Sequence, residues 1–400
     1  MAEPRQIGVL TAQQGKGKRT FSFEYEESWI QSAEQVLLDP DLTWFPGPQF
    51  PSEKENFGVF LDSMPDTWGR TLMKRRAAFK ARDTGKPAQN FYETDYLLGV
   101  HDNGRMGALR FKLDKGGAFL DDDPNWSAPP IANIRELQYA AEQIENDDDT
   151  LESRKWLSVL IAPGSSLGGA RPKANIRDSE GNLWIAKFPS KNDSTDKAAW
   201  EYLAYRLAVN AGVQMSDSYI SKISGRYHSF FTRRFDRQNH ERIHFASAMT
   251  MTGNDESVTR TKVPSYLDIA DFIEQHGSNV NEDLEQLWRR IVFNIAVSNT
   301  DDHLRNHGFI LGPEGWRLSP AYDLNPSTDK NGLALNIDTD SNELDFELAE
   351  SVGEFFRLNK RKMTQILNEV KSAVSGHSTI ANEIGISRQE QEIMQSAFRT

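Results

Sequence analysis

The segment Asn299–Phe309 reads NTDDHLRNHGF and sets two adjacent acids, two histidines four positions apart and an asparagine at the end of an apolar, helix-like run. Carboxylate and amide oxygens suit a hard cation, imidazoles suit zinc, and an acid within reach of a hydroxyl serves as a general base. A polar turn uses the same residue types, so the rest of the chain has to decide. Seventeen residues past Asn306 stands Asp323, in LSPAYDLNPS, after the short apolar stretch GFIL.

Asp301 and Asn306 are five apart, the separation of base and metal-binding asparagine in the kinase pattern H-R-D-x-x-x-x-N. In that reading Asp301 accepts a hydroxyl proton, while Asn306 and Asp323 offer oxygens to Mg²⁺. Phosphoryl transfer also needs a phosphate cradle and a lysine. APGSSLGGARPKANI (Ala162–Ile176) supplies Gly164, Gly168 and Gly169, whose backbone can aim N–H groups at phosphate oxygens. It has neither a Walker A nor a GxGxxG spacing, and a plain hairpin turn reads equally well. LWIAKFPS (Leu183–Ser190) is an apolar run interrupted by Lys187, whose ammonium requires a phosphate or carboxylate partner if buried. Glu201, on the next helix, can be that partner. In YHSFFTRRFDRQN (Tyr227–Asn239) an aromatic strand runs into Arg233, Arg234 and Phe235, where Phe235 can flank an adenine or simply fill a core.

A metallohydrolase is the rival reading. His303 and His307 at i and i+4, assisted by Asp301 or Asp302, can hold one metal on a helix. The eight histidines form no second cluster, and that reading leaves Lys187 and the Gly-rich turn unexplained.

Two helices must position these groups. In STDKAAWEYLAYRLAVNAGV, Trp200, Leu203, Ala204, Leu207 and Ala208 recur at helical spacing, Asp196 or Thr195 can cap the start, and Gly212 supplies the stop. In NEDLEQLWRRIVFNIAVSNT a stripe of Leu284, Leu287, Trp288, Ile291, Val292, Ile295 and Ala296 predicts a helix packed on a core, with NTDDH leaving its C-terminal end. Before them, a mixed zone runs to about Leu120 (RTFSFEYE strand-like, PDTWGRTLMKRRAAFKAR helix-like). The stretch DDDPNWSAPP (Asp121–Pro130) reads as a linker, and the chain becomes mostly helical from about Phe245.

The balance of 38% hydrophobic and 26% charged residues over 400 is that of a folded soluble protein of two or three units. A net charge of −12 argues against autonomous nucleic-acid binding, with Arg70–Arg82 the best local basic patch and a solvated helix face its simpler reading. The absence of cysteine excludes disulfides, thiolate zinc sites and thiol nucleophiles. MAEPRQIGVL is no signal peptide and no segment reaches 18 apolar residues, so the expectation is a cytoplasmic protein with no membrane association.

SSLGGARPKA, AKFPS, RRFDR, NTDDHLRNHGF and LSPAYDLNPS, in this order and spacing, resemble the HipA-type serine/threonine kinases, toxin halves of bacterial toxin–antitoxin pairs. FGVFLDSMPDTWGR (Phe57–Arg70) extends the resemblance into the N-terminal subdomain and so over nearly the whole chain. The resemblance implies an α+β, bilobal protein-kinase-like fold. It assigns residues 1–128 to an N-terminal subdomain, 129–240 to an ATP-binding N-lobe and 129–240's partner, 241–400, to a mainly helical C-lobe. ATP and Mg²⁺ would lie between the lobes.

By resemblance Asp301 is the base, Asn306 and Asp323 hold magnesium, and Lys187 holds the ATP phosphates. Gly168, Gly169, Ala170, Arg171, Pro172 and Lys173 match the phosphate loop, and Arg233, Arg234 and Phe235 match the adenine-contacting hinge. His303, Leu304, Arg305, Asn306 and Tyr322 match further nucleotide contacts. Ser166, with Ser165 as the near alternative, matches the serine whose autophosphorylation ejects that loop. ARPK stands where the family more often has A-Q-E-K, and Arg233 where a hinge Glu is common. The implied partners are a HipB-like helix-turn-helix antitoxin, operator DNA through that antitoxin, and a protein substrate such as an aminoacyl-tRNA synthetase. A kinase-shaped corepressor with weak catalysis and a small-molecule phosphotransferase are the other readings.

Overall fold

The computed structural model describes residues 3–14, 19–32, 35–52, 54–120, 128–146, 157, 160, 169, 171–239, 241–255, 259 and 263–400. Residues 121–127 of the Asp121–Pro130 stretch expected to be a linker, and Gly164, Ser165, Ser166, Gly168 and Ala170, lie outside them.

The chain opens with a hairpin, β1 (Gly8–Gln14) paired antiparallel to β2 (Arg19–Tyr25). Alternate residues Phe21, Phe23 and Tyr25 of β2 are buried, the period-two pattern of a strand with one face on a core. A helix, Thr67–Thr84, follows. Asp66 caps it by accepting the Gly69 N–H at 2.8 Å, and Gly85 ends it in the left-handed region at φ +63°.

Next comes a four-stranded antiparallel sheet in the order β3 (Lys173–Arg177), β4 (Leu183–Lys187), β6 (Ser229–Arg233), β5 (Ser218–Ser221). The helix Lys197–Asn210 crosses between β4 and β5. Asp196 caps it through Ala199 N–H, and Gly212, at φ +74°, lets the chain turn off its end. A short hairpin, β7 (Arg237–Gln238) with β8 (Glu241–Arg242), leads to a three-stranded sheet in which β10 (Gly308–Gly312) lies between β9 (His244–Ser247) and β11 (Gly315–Leu318). The remaining C-terminal part is helical, and Tyr266–His276, Val280–Val297 and Lys360–Ser375 are the longest helices among its described residues.

Two cores result. One gathers Phe23, Phe57, Phe60, Trp68 and Leu72 of the N-terminal part with Ile176, Ala186, Phe188 and Phe231 of the four-stranded sheet, so hairpin, first helix and sheet solidify together. The other surrounds Val280–Val297, in which every residue from Leu287 to Val297 is buried. A helix enclosed on all sides is the axis of its lobe, and truncating Ile291 or Leu287 to alanine there costs about 2–5 kcal/mol. This is the rigid rod from which the polar Asn299–Phe309 segment departs. Among the described residues no helix is long and apolar enough to cross a membrane.

Candidate active site

Antiparallel register sets Lys173 of β3 directly opposite Lys187 of β4. Cross-strand partners project from the same face of a sheet, so two ammonium groups share one side, an arrangement that repels unless anions compensate. Both are compensated. Lys187 Nζ donates to Glu201 Oε1 at 2.6 Å and to Asp323 Oδ1 at 2.7 Å, and Lys173 Nζ lies 2.7 Å from Asp66 Oδ2. Burial disfavours the Lys187 ammonium, yet the Asp323 and Glu201 carboxylates hold its pKa above the ordinary lysine value. Burial likewise opposes the charge on Asp323, but Lys187, with Lys173 and His303 adding to its field, brings this carboxyl down to about 2. Burial pushes Glu201 up, against the pull of Lys187.

Asp323 sits at φ +59°, in the left-handed region that Asp tolerates better than most side chains. Ala321 N–H fastens the preceding turn to Gln214 O at 2.8 Å, and the Tyr322 hydroxyl donates to Arg305 O at 2.8 Å. Local strain of this kind persists where the surroundings over-determine the backbone.

Val280–Val297 ends at Ser298, itself left-handed at φ +50°, and the chain turns sharply into Asn299–Asn306. The two adjacent acids then part. Asp301 has a side chain 79% exposed, with Lys330 at 3.8 Å. Asp302 is buried and accepts from Tyr266 Oη (2.5 Å) and Asn294 Nδ2 (2.6 Å), with His307 Nε2 at 2.7 Å. Burial opposes its charge, but His307 and these hydrogen bonds keep its pKa below the usual value. Asp302 and His307 thus knit the loop to the helices Tyr266–His276 and Val280–Val297. The described residues contain no group of three His, Asp or Glu side chains placed to hold a metal, and His307 is turned to Asp302. The metallohydrolase reading therefore has no geometric support.

Asn306 donates through Nδ2 to Asp301 O at 3.0 Å, which fixes its amide and leaves Oδ1 as the free acceptor. It lines one small pocket with Lys173, Lys187, Glu201, Tyr322 and Asp323. This pocket measures about 40 Å³, far below the several hundred Å³ of a small-molecule site. Lys187 and Asp323, bridged at 2.7 Å, both line it.

Phe235 reaches the pocket wall indirectly, stacked on Tyr322 with centroids 5.7 Å apart at 28°. Leu304 is buried beneath the loop, and the Arg305 carbonyl anchors Tyr322. Arg171 is turned to Asp193 through two hydrogen bonds. Arg233 and Arg234 are not brought to this pocket. Arg233 donates to Asn182 Oδ1 at 3.0 Å. Arg234 is buried against Asp236 and the Gly104 and Arg105 carbonyls, locking the strand end to the N-terminal part. The adjacent serines fall outside the described residues, as do Gly168 and Ala170, while Gly169 stands at φ +115°.

Three residues that sequence reasoning passed over complete the site's support. Trp68 Nε1 donates to Lys173 O at 3.1 Å, Trp68 N–H to Gly169 O at 3.3 Å, and Asp66 holds Lys173. On the other lobe, Asp62 accepts from Ser247 N–H and Oγ, both at 2.7 Å. The DSMPDTWGR stretch (Asp62–Arg70) therefore grips the end of the Gly-rich turn four residues beyond its grip on the C-terminal lobe. The sequence signal was the resemblance of FGVFLDSMPDTWGR to the family's N-terminal subdomain, which gave these three residues no role of their own.

The HipA-like C-terminal domain family matches residues 165–377, more than half of the chain. The chain belongs to this family. Over its full length it is similar to a solved HipA, that of Shewanella oneidensis MR-1 in complex with HipB and operator DNA, at 18% identity and TM-score 0.64. That alignment covers 98% of this chain and 92% of the other. The likeness establishes a HipA-like α+β fold. Two curated relatives are provisionally named kinases. One, from Haemophilus influenzae, is 28% identical over 180 residues, 40% of this chain and 52% of the relative. The chain thus matches about half of that protein. The other, from Sinorhizobium fredii, is 21% identical over 386 residues, 88% of this chain and 86% of the relative.

Proposed function

We propose that this HipA-like protein is an ATP-dependent serine/threonine protein kinase, with Mg²⁺ as its metal, acting as the toxin of a toxin–antitoxin pair. The observation that carries the reading is the convergence of Lys187, Lys173, Asn306 and Asp323 on one pocket. Two facing ammonium groups suit a polyphosphate. One carboxylate and one amide oxygen suit a hard cation that takes its remaining ligands from phosphates and water. The donor set therefore fits Mg-ATP.

ATP supplies the phosphoryl group when it is bound. Lys187 exchanges Asp323 for phosphate oxygens, and Glu201 keeps the ammonium aimed into the cleft. Asn306 Oδ1 and the Asp323 carboxylate would hold the metal, which would neutralise phosphate charge. Asp301, solvent-facing and one helix-end away, takes the proton of the substrate hydroxyl, which its exposure permits for a protein substrate. Phe235 and Tyr322 offer a stacked aromatic wall to the base, with His303, Leu304 and Arg305 beside it. The Arg233 and Arg234 side chains are committed elsewhere, which leaves only backbone groups for a hinge role.

Ser166, or Ser165 beside it, is the autophosphorylation site in this proposal. A phosphate there brings nearly two negative charges to where nucleotide phosphates bind and opposes ATP. A HipB-like helix-turn-helix antitoxin would neutralise the kinase and carry it to operator DNA, and a translation component such as an aminoacyl-tRNA synthetase would be its target. The site of action in this proposal is the cytoplasm.

Incubation with γ-labelled ATP and Mg²⁺, followed by peptide mapping, tests the reading. Label on Ser166 or Ser165 that disappears in Asp301→Asn is the expected result. Label that survives Asp301→Asn contradicts the base assignment, and absence of label on any protein in the presence of bound ATP favours the corepressor reading.

A further inference from the structure

A cavity of about 1580 Å³ shares no lining residue with the Lys187 pocket. It lies between the β1–β2 hairpin and the chain that follows β6. One wall is apolar, with Phe21, Phe60 and Phe111, and the other carries Arg237, Arg242 and His244.

Behind the second wall, whose rim also carries Glu241, lies a cluster of guanidinium groups that outnumber the carboxylates they pair with. Asp102 accepts from Arg110 and Arg242, and Asp236 accepts from Arg234 and Arg237, so two carboxylates serve four guanidinium groups. Burial, despite the attraction of Asp236 and helped by Arg234 and Arg242, brings Arg237 down to about 9. Three donors or acceptors on this wall also lack hydrogen-bond partners among the described residues. They are the buried Arg242 Nη1 and both ring nitrogens of His244, a residue only 8% exposed. Buried polar atoms left unpaired are rare and costly in folded proteins, and here a guanidinium N–H and an imidazole that burial holds neutral line the same cavity and can donate to an anion.

We propose that this cavity is a second ligand site, which takes a small organic anion with a phosphate head at Arg242 and His244 and an apolar body against the Phe21–Phe60 wall. A free phosphate and an alkyl phosphate share the head chemistry, and the apolar wall distinguishes them. The site is independent of the nucleotide cleft, so its existence does not rest on the kinase reading.

Calorimetric titration of the full chain with inorganic phosphate and with hexyl phosphate tests this. The alkyl phosphate should bind at least tenfold tighter than phosphate. Arg242→Gln should weaken both at least tenfold. Ala108→Phe, which narrows the cavity without touching the ion pairs, should remove the advantage of the alkyl chain, and Lys187→Ala should change neither affinity. Melting curves identify any variant that fails to fold, and Ala108→Phe then carries the test alone. Absence of heat with either anion means that ordered water satisfies these atoms, which overturns the proposal. So does binding that survives both cavity variants, or binding lost in Lys187→Ala.

Discussion

Lys173 and Lys187 stand opposite each other across β3 and β4, and each is held by a carboxylate from a distant part of the chain, Asp66 and Asp323. The facing pair is tolerable only because those acids are present, and any polyanion entering the cleft competes with them. Asp323 is the one that has to move, since Glu201 can keep Lys187 neutralised after it leaves.

Removing Lys187 leaves Glu201 and Asp323 close together without a cation. Lys187→Ala should therefore lower stability by about 3 kcal/mol, from an uncompensated buried carboxylate, and should abolish nucleotide binding. Glu201→Gln should be milder for stability but still weaken ATP binding, because the ammonium loses the partner that aims it. Chemical denaturation with parallel ATP titrations checks both.

The depressed pKa of Asp323 gives a pH signature. Its folded value of about 2 lies below the ordinary 3.8, so its stabilisation is fully present above about pH 4 and is lost as pH falls toward 2. The melting-temperature gap between wild type and Asp323→Asn should hold steady from pH 7 to about pH 4 and shrink below that. A gap independent of acid would mean that the Lys187 pair does not form.

Asp301 and Asp302 are neighbours with opposite duties. Asp301→Asn should leave stability within about 0.5 kcal/mol, because the side chain is exposed, while phosphoryl transfer falls by roughly 10²–10⁴. Asp302→Asn disturbs the Tyr266, Asn294 and His307 hydrogen bonds and should cost about 3 kcal/mol or more. Melting temperatures and initial rates of label transfer separate the two effects.

The Asp66–Lys173 pair is almost wholly buried, with side chains 3% and 5% exposed. Asp66→Asn should cost about 3–5 kcal/mol in stability. Where the variant still folds, it should raise KM for ATP more than it lowers kcat, because the Gly169–Lys173 segment loses its anchor. An unchanged KM would restrict the contact to a structural role.

Much of this was legible along the chain. The stripe from Leu284 to Ala296 and the Asp196 cap are local signals, and helix physics makes them reliable. A lysine inside an apolar strand demands a nearby acid, which points to Glu201. Tertiary facts were not legible. Nothing local says that Asp302 is buried while Asp301 is exposed, since that depends on Tyr266 and Asn294 arriving from two other helices. Arg233 and Arg234 match a hinge by resemblance alone, and nothing local says that Asp236 and two carbonyls from the N-terminal part hold the Arg234 side chain. The Trp68 and Asp66 grip on Gly169 and Lys173 joins segments about a hundred residues apart, beyond the reach of any periodicity.

The most direct measurement is calorimetric titration of ATP into the wild type and Asp323→Asn, each with and without Mg²⁺. The account predicts ATP binding that Mg²⁺ strengthens at least tenfold in the wild type, with that gain lost in Asp323→Asn. Equal affinity in all four titrations, or no ATP binding in any, would contradict it.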